Sequence, residues 1–129
     1  HFGLPRHEQT ARVIRAMENP HIDIIFHLTG RIIGKRPAID LDVDAVIAAA
    51  KRTGTVLEVN AYPDRMDIKD EHVRRAVSSG VLLSIDSDAH STRHFDLLEY
   101  GIAAARRGWA EKKNVINAWP VEKMLNMLK

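Results

Sequence analysis

Asp88 and His90 are the residues whose types and spacing point most directly to chemistry. One residue separates them, so on an extended segment both side chains point the same way. An imidazole nitrogen beside a carboxylate oxygen suits Zn²⁺, Mn²⁺ or Fe²⁺. The same pair also occurs in surface loops, where the aspartate makes an Asx turn. A metal site is favoured over a loop only because His27, at the end of another apolar run, adds a second nitrogen.

Glu58 lies inside an otherwise apolar run, VLEV, where a buried carboxylate needs a cation or hydrogen-bond donors around it. Two interpretations have equal weight. Glu58 serves a metal site, or it forms an internal ion pair with a lysine or arginine. Asn60 follows in the same run, and from the residues alone its role is to hold the next turn.

A basic cluster of Arg31, Lys35 and Arg36 comes shortly after His27. Cations beside a metal at a strand end suit a phosphate group, and Arg31 is the predicted phosphate ligand. The alternative is a solvated loop, which is the more frequent outcome for a short run of charges. Arg65, further along the chain, is interpreted as a loop charge outside the site.

The elements that must position these residues begin with three short apolar runs, at 22–26, 55–59 and 81–85. The runs are rich in β-branched residues and almost free of polar alternation, which predicts buried strands. A further short strand is expected around Val115 and Ile116. Helical patterns between the strands imply crossover connections and a parallel sheet. The chain is therefore either a small open α/β sheet or the second half of a (β/α) barrel, and a first residue other than Met favours the half.

The helices carry recognisable start and stop signals. Asp42 is the predicted N-cap of the helix that follows it, and Gly54 and Gly80 are the predicted left-handed residues that end two helices. Pro20 stops the first helix, and Pro120 suits the first turn of the last one. The helix boundaries are therefore expected near these residues.

The carboxyl ends of the strands are where ligands bind in parallel α/β folds. The first run ends at His27, the second carries Glu58 and Asn60 near its end, and the third leads into Asp88 and His90. Three strands thus deliver imidazole, carboxylate and amide groups to one edge of the sheet.

The composition is that of a globular protein. Its 129 residues, 45% hydrophobic and 28% charged, predict one domain, and the formal net charge of +2 is too mild to indicate nucleic-acid binding by itself. The absence of cysteine excludes disulfides and thiolate zinc sites. No apolar run approaches the roughly 20 residues of a membrane span. We expect a cytoplasmic protein that binds no membrane.

Three motifs occur in order: HLTGR at 27–31, EVNAYPDR at 58–65 and DSDAHS at 86–91. Together they resemble the PHP domain, named for polymerase and histidinol phosphatase. A fourth segment, YGIAAARRGW at 100–109, is similar to the C-terminal PHP domain of bacterial and archaeal family X DNA polymerases. The resemblance covers nearly the whole chain. It departs at Leu28, where the subgroup usually has proline.

The fold that this resemblance implies is α/β, a distorted seven-stranded TIM-like (β/α) barrel. Residues 1–129 would be its C-terminal portion, a partial PHP domain whose opening His-x-His motif lies upstream. A cut barrel exposes unpaired strand groups, so we expect the chain alone to self-associate.

The site that the resemblance implies holds up to three metal ions, Mn²⁺ or Zn²⁺, which activate water and clamp a phosphate ester. By similarity, His27, Asp88 and His90 are the catalytic, metal-binding residues. Glu58 and Asn60 are expected to support the site rather than to bind metal directly. His1 lies two positions past another ligand of the family and is only a weak candidate.

The function implied is that of a metal-dependent phosphoesterase, a hydrolase acting at DNA 3′ ends as a 3′-5′ exonuclease and in 3′-end processing. Its partners would be DNA 3′ ends and a polymerase domain upstream in the same chain. Two alternatives stay open: a catalytically inactive PHP module that supports a polymerase, or a phosphatase of small metabolites such as histidinol phosphate. The retained donors argue against the first, and the segment 100–109 argues against the second. From the chain alone we expect weak metal binding and little activity.

Overall fold

The architecture is a small parallel sheet covered by helices. A computed structural model describes residues 2–128. The three strands lie in the order β1-β2-β3, and both neighbouring pairs are parallel. Their bounds are β1 Ile24–Ile25, β2 Val56–Asn60 and β3 Leu83–Asp86. The predicted parallel α/β arrangement is confirmed. The described residues form an open three-stranded sheet, so the closed seven-stranded barrel stays an expectation of the resemblance.

The burial of each strand follows from its place in the sheet. β2 lies in the middle and is buried along its whole length, which matches its nearly continuous apolar sequence. β1 pairs only with β2, and both of its residues are half-buried. Among residues 2–128, no strand pairs with the outer edge of β1.

In the part of the chain that the structure describes, five α-helices connect and flank the strands. Their bounds are α1 Arg6–Met17, α2 Val43–Thr53, α3 Asp70–Ser78, α4 Leu98–Arg107 and α5 Val121–Leu125. A six-residue 3₁₀ helix, Thr92–Leu97, leads into α4. α1 packs against α2, and α4 packs against α3 and the sheet. None of these helices is long and apolar enough to cross a membrane.

The helix boundaries follow the signals in the sequence. The Asp42 carboxylate caps α2 by accepting from the Ala45 N–H at 3.0 Å. Gly54 and Gly80 follow α2 and α3 with φ of +72° and +75°, a conformation that glycine adopts without strain. α5 starts directly after Pro120. These four predictions are confirmed.

The strand expected around Val115 and Ile116 is a wrong prediction. Two 3₁₀ turns, Lys112–Asn114 and Ile116–Ala118, flank Val115, which makes one parallel bridge to Leu83. Beyond that bridge, the side-chain amide of Asn117 makes the hydrogen bonds to β3 that the backbone of a neighbouring strand would make. Its Oδ1 accepts from the Ile85 N–H at 3.1 Å, and its Nδ2 donates to the Ile85 carbonyl at 2.7 Å. The side-chain amide of one residue therefore pairs both backbone groups of Ile85 at this edge of the sheet.

Replacing Asn117 by alanine is expected to destabilise the fold. Asn117→Ala removes both bonds to Ile85, and a lost hydrogen bond in a partly buried place costs about 1 kcal/mol, more where the backbone group stays unpaired. We expect the free energy of unfolding in urea to fall by about 1–2 kcal/mol. Asn126→Ala, at an exposed asparagine after α5, is the matched control and should change it little. Equal effects of the two substitutions would contradict this role of Asn117.

Candidate metal centre

His27 is the second residue after β1 and is held through its backbone. Its N–H donates to Glu58 Oε2 at 2.7 Å. Its φ is +50°, an uncommon conformation for a residue with a Cβ. Such a conformation persists where the surrounding structure fixes it, and it occurs often at functional sites. The bond to Glu58 is one constraint that fixes this turn.

The Glu58 side chain lies beneath His27, with 2% of its residue surface exposed. Its Oε1 accepts from Asn60 Nδ2 at 3.1 Å, and its Oε2 lies 3.6 Å from His27 Nδ1. Burial raises the pKa of Glu58 from 4.5 to about 7, although the bonds from His27 and Asn60 oppose the shift. The predicted ion pair of Glu58 with a lysine or arginine is absent among the described residues. The partners of Glu58 are a backbone amide, an amide side chain and an imidazole.

Asn60 determines which nitrogen of the His27 ring carries the hydrogen. Its Oδ1 accepts from the Tyr62 N–H at 3.0 Å, so its Nδ2 is the donor that faces His27 Nδ1 at 3.2 Å. His27 Nδ1 is then the acceptor, and Nε2 carries the hydrogen. If Nε2 binds an ion, the hydrogen must move to Nδ1, where Glu58 Oε2 is the nearest carboxylate oxygen. Asn60 holds the turn, as expected from the sequence, and it also contacts the imidazole.

Asp88 meets His27 from the end of β3. Asp88 Oδ2 lies 3.8 Å from His27 Nε2 and 3.2 Å from Arg65 Nε. Asp88 also has a positive φ, +54°, so both donors follow a strand in the left-handed region. The structure therefore brings together the histidine and the aspartate that the strand-end argument selected.

His90 lies apart from that pair. It is exposed, and its Nδ1 donates to the Asp88 carbonyl at 2.7 Å, which leaves Nε2 as the unprotonated nitrogen that a metal ligand needs. His94 Nδ1 accepts from the His90 N–H at 3.1 Å, so His94 holds this loop as an acceptor. Among residues 2–128, no three histidine or acidic side chains converge as a ready metal site. His1 lies outside the described residues.

Asp67 is a site residue that the sequence argument missed. It is 1% exposed, and its carboxylate accepts from the Thr29 N–H at 3.0 Å, the Gly30 N–H at 2.9 Å and the Thr29 hydroxyl at 2.9 Å. These bonds fix the loop directly after His27. Asp67 lies within the loop between β2 and α3 rather than at a strand end, so no local pattern in the sequence marks it.

The two arginines near the site differ from their expected roles. Arg31 donates through Nε to the Arg65 carbonyl at 2.6 Å and through Nη2 to the Met66 carbonyl, so much of its guanidinium holds a loop. Arg65, interpreted from the sequence as a loop charge, contacts Asp88 instead. Arg65 does lie in a loop, between β2 and α3, but its side chain is directed to Asp88 and is not an outer charge. Phosphate binding by Arg31 stays a prediction.

The donor types fit a divalent transition metal in part. Imidazole nitrogen and carboxylate oxygen are ligands of Zn²⁺ and Mn²⁺, and a ligating histidine usually donates its other nitrogen to a carboxylate. His27, with Asp88 at one nitrogen and Glu58 near the other, has this chemistry. No group of three histidine or acidic side chains converges within residues 2–128, so an ion here needs further ligands.

Known proteins with similar sequences include a polymerase and phosphatases. The chain is 45% identical over 117 residues to the DNA polymerase/3′-5′ exonuclease PolX of Bacillus subtilis, covering 91% of this chain and 20% of that protein. It is 26% identical over 114 residues to a probable phosphatase of Thermoanaerobacter sp., and 31% identical over 88 residues to one of Acetivibrio thermocellus. These matches cover 84% and 64% of this chain, and 44% and 34% of the phosphatases. No protein-family model matches the chain.

These relatives confirm the resemblance of the chain to the PHP domain of family X DNA polymerases, which its motifs carry. The chain spans a fifth of the length of the polymerase and less than half the length of the phosphatases.

Removing the Asp67 charge is expected to loosen the loop that carries His27. In Asp67→Asn the amide nitrogen cannot accept, so at least one buried donor loses its partner, which costs about 1–3 kcal/mol of unfolding free energy. Asp64→Asn, at an exposed carboxylate of the same loop, should cost much less. Urea unfolding of both variants checks this. A larger loss for Asp64→Asn would refute the anchoring role.

Glu58 is expected to make stability depend on pH between 4.5 and about 7. In the unfolded chain Glu58 ionises near pH 4.5, whereas in the folded chain it keeps its proton up to about 7. Its contribution to stability is therefore complete below pH 4.5 and is lost as the pH rises toward 7. Over this window the wild-type protein should lose about 1–3 kcal/mol relative to Glu58→Gln.

The measurement is urea unfolding of both proteins in chelator at several pH values. Taking the difference between wild type and Glu58→Gln cancels the other titrating groups. A difference that stays constant across the window would show that burial does not shift the pKa of Glu58.

Proposed function

We propose that this chain contributes to a metal-dependent phosphoesterase that hydrolyses phosphoester bonds at DNA 3′ ends. The observation that carries the proposal is the meeting of His27, Asp88 and Arg65 beyond the carboxyl ends of the strands. A metal-ligand pair beside a guanidinium suits a phosphate group, because the cation and the arginine both neutralise its charge. The exonuclease in the name of the B. subtilis relative supports DNA as the substrate.

Each of the chain's own residues has a separate task at the centre. His27 and Asp88 would hold the ion, and His90, two residues after Asp88 on the same loop, would be a further ligand. When bound, Mn²⁺ or Zn²⁺ supplies polarisation of the phosphate ester and activation of water. Glu58 keeps the His27 ring oriented and can accept its Nδ1 proton.

Arg65 is the residue to which we assign charge stabilisation on the phosphate. Its side chain is a quarter exposed and its Nε already faces an oxygen anion, Asp88 Oδ2. A guanidinium binds carboxylate and phosphate by the same geometry. Arg31 has less freedom for this role because it is bonded to two backbone carbonyls.

Hydrolysis by the full-length protein tests the proposal. The substrates are a recessed DNA primer with a 3′-hydroxyl, the same primer with a 3′-phosphate, and a small phosphate monoester, each with Mn²⁺ or with chelator. We expect Mn²⁺-dependent release of nucleotide or phosphate from DNA. Asp88→Asn and His90→Ala should each reduce it by about a hundredfold or more, by loss of a ligand. His21→Ala, at an exposed histidine before β1, is the matched control.

A second candidate is an inactive module, supported by the lack of three converging ligand side chains in residues 2–128. A folded full-length protein with no turnover under any metal would favour it. A third candidate, a phosphatase of small esters, is supported by the names of two relatives. Turnover of the monoester alone would favour that candidate.

A further inference from the structure

A short hairpin of residues 32–36 projects beside the candidate metal centre. Ile32 and Arg36 pair in antiparallel fashion through two backbone bonds, of 2.9 and 2.8 Å. Gly34 makes the turn with φ of +74°, where a residue with a Cβ would be strained. The turn leaves the side chain of Lys35 74% exposed. The hairpin therefore holds the exposed Lys35 ammonium on a backbone that is fixed by hydrogen bonds.

The hairpin is fixed to the loop that carries Arg65. The Ile33 N–H donates to the Asp64 carbonyl at 2.6 Å. Arg31, at the base of the hairpin, bonds the Arg65 and Met66 carbonyls. Arg36 donates from Nε to the Gly30 carbonyl at 2.9 Å. A surface that is ordered before binding loses less entropy when a ligand binds.

A groove of about 540 Å³ runs along one side of this hairpin. Its lining includes four cationic residues and no carboxylate among the described residues; the four are Arg31, Lys35, Arg36 and Lys69. Two acidic residues lie close by. Lys69 Nζ is 3.1 Å from Glu71 Oε1, and Lys35 Nζ is 3.9 Å from Asp64 Oδ2. Both are surface pairs, which hold their lysines weakly.

The groove is continuous with the candidate centre. Ile32 and Lys35 line both the groove and the cavity that contains Asp88 and His90. Arg36 lines both the groove and the cavity beside His27. A long anion whose end reaches Asp88 can therefore extend along the groove without leaving cationic surface.

We propose that this cationic groove, formed by the hairpin and Lys69, binds the sugar-phosphate backbone of a polynucleotide strand whose 3′ end lies at the candidate centre. The inference rests on the proposed function and assigns the surface that holds the DNA strand beyond its 3′ end. Lysine and arginine contacts to successive phosphates release counterions, which gives affinity without sequence preference. A mononucleotide fills the centre alone and gains nothing from the groove.

Binding of a fluorescein-labelled single-stranded DNA oligonucleotide to the full-length protein, in chelator, tests this surface without turnover. The variant Lys35→Gln/Lys69→Gln removes two cations and keeps the side chains polar. We expect the dissociation constant to rise about tenfold, and the slope of log K against log salt to shrink by about 1.4, which is 0.7 per lost phosphate contact.

Lys113→Gln is the matched control. Lys113 is exposed and pairs with Glu111 at 3.0 Å, just as Lys69 pairs with Glu71, and it does not line the groove. For the Lys113→Gln variant, the dissociation constant for the oligonucleotide and its salt dependence should equal those of the wild type. Unchanged DNA binding by the double variant, or an equal loss of affinity in Lys113→Gln, would overturn the assignment of DNA binding to the groove.

Hydrolysis separates this inference from the proposed function. If the groove and the function are both correct, the double variant loses more kcat/KM on the oligonucleotide than on a small phosphate ester. If no substrate is hydrolysed under any metal but the double variant binds DNA more weakly than the control, the proposed function fails and the groove stands. Equal losses on the long and the small substrate would count against the groove.

Discussion

A buried carboxylate on the central strand is the constraint on which the rest of the candidate centre depends. Glu58 lies on β2, flanked by strands on both sides, and an ionisable group in such a place costs several kcal/mol unless donors surround it. The donors are the N–H of His27, two residues after β1, and the side-chain amide of Asn60. To offer its N–H to Glu58, the chain must turn at His27 into the left-handed region. That turn directs the imidazole toward Asp88.

A second buried carboxylate fixes the loop after that turn. Asp67 accepts from the backbone of Thr29 and Gly30, so the loop after β1 is held by one carboxylate on the central strand and by another on the loop after that strand. The loop that holds Asp67 also carries Arg65, whose backbone in turn accepts from Arg31. The two loops fix each other, and neither has a regular element of its own to hold it. Side-chain positions at the centre therefore depend on polar bonds more than on apolar packing.

The difference between local contacts and contacts between distant residues explains which features the sequence could predict. The strands, the Asp42 cap and the left-handed Gly54 and Gly80 depend on residues next to one another, so local patterns found them. His27 and Asp88 were found because parallel strands end at one edge, which is a rule of topology. Asp67, Arg65 and Asn117 act on residues about 20 to 40 positions away. Nothing in their neighbours predicts those partners, so local patterns place Arg65 in a loop without its contact to Asp88 and give no role to Asp67 or Asn117.

Electrostatics links the centre to the hairpin beside it. Asp88 faces the Nε2 of a partly exposed imidazole on one side and the Arg65 guanidinium on the other, and the guanidinium balances its charge. Under the proposed function, a divalent cation at Asp88 would compete with Arg65 for the same oxygen, and a phosphate held by that cation would offer Arg65 a second anion at the same place. Arg65 lines the cavities on both sides, beside His27 and beside His90. Because Arg31 donates to the Arg65 carbonyl, the backbone there is held, and such an exchange would fall to the Arg65 side chain.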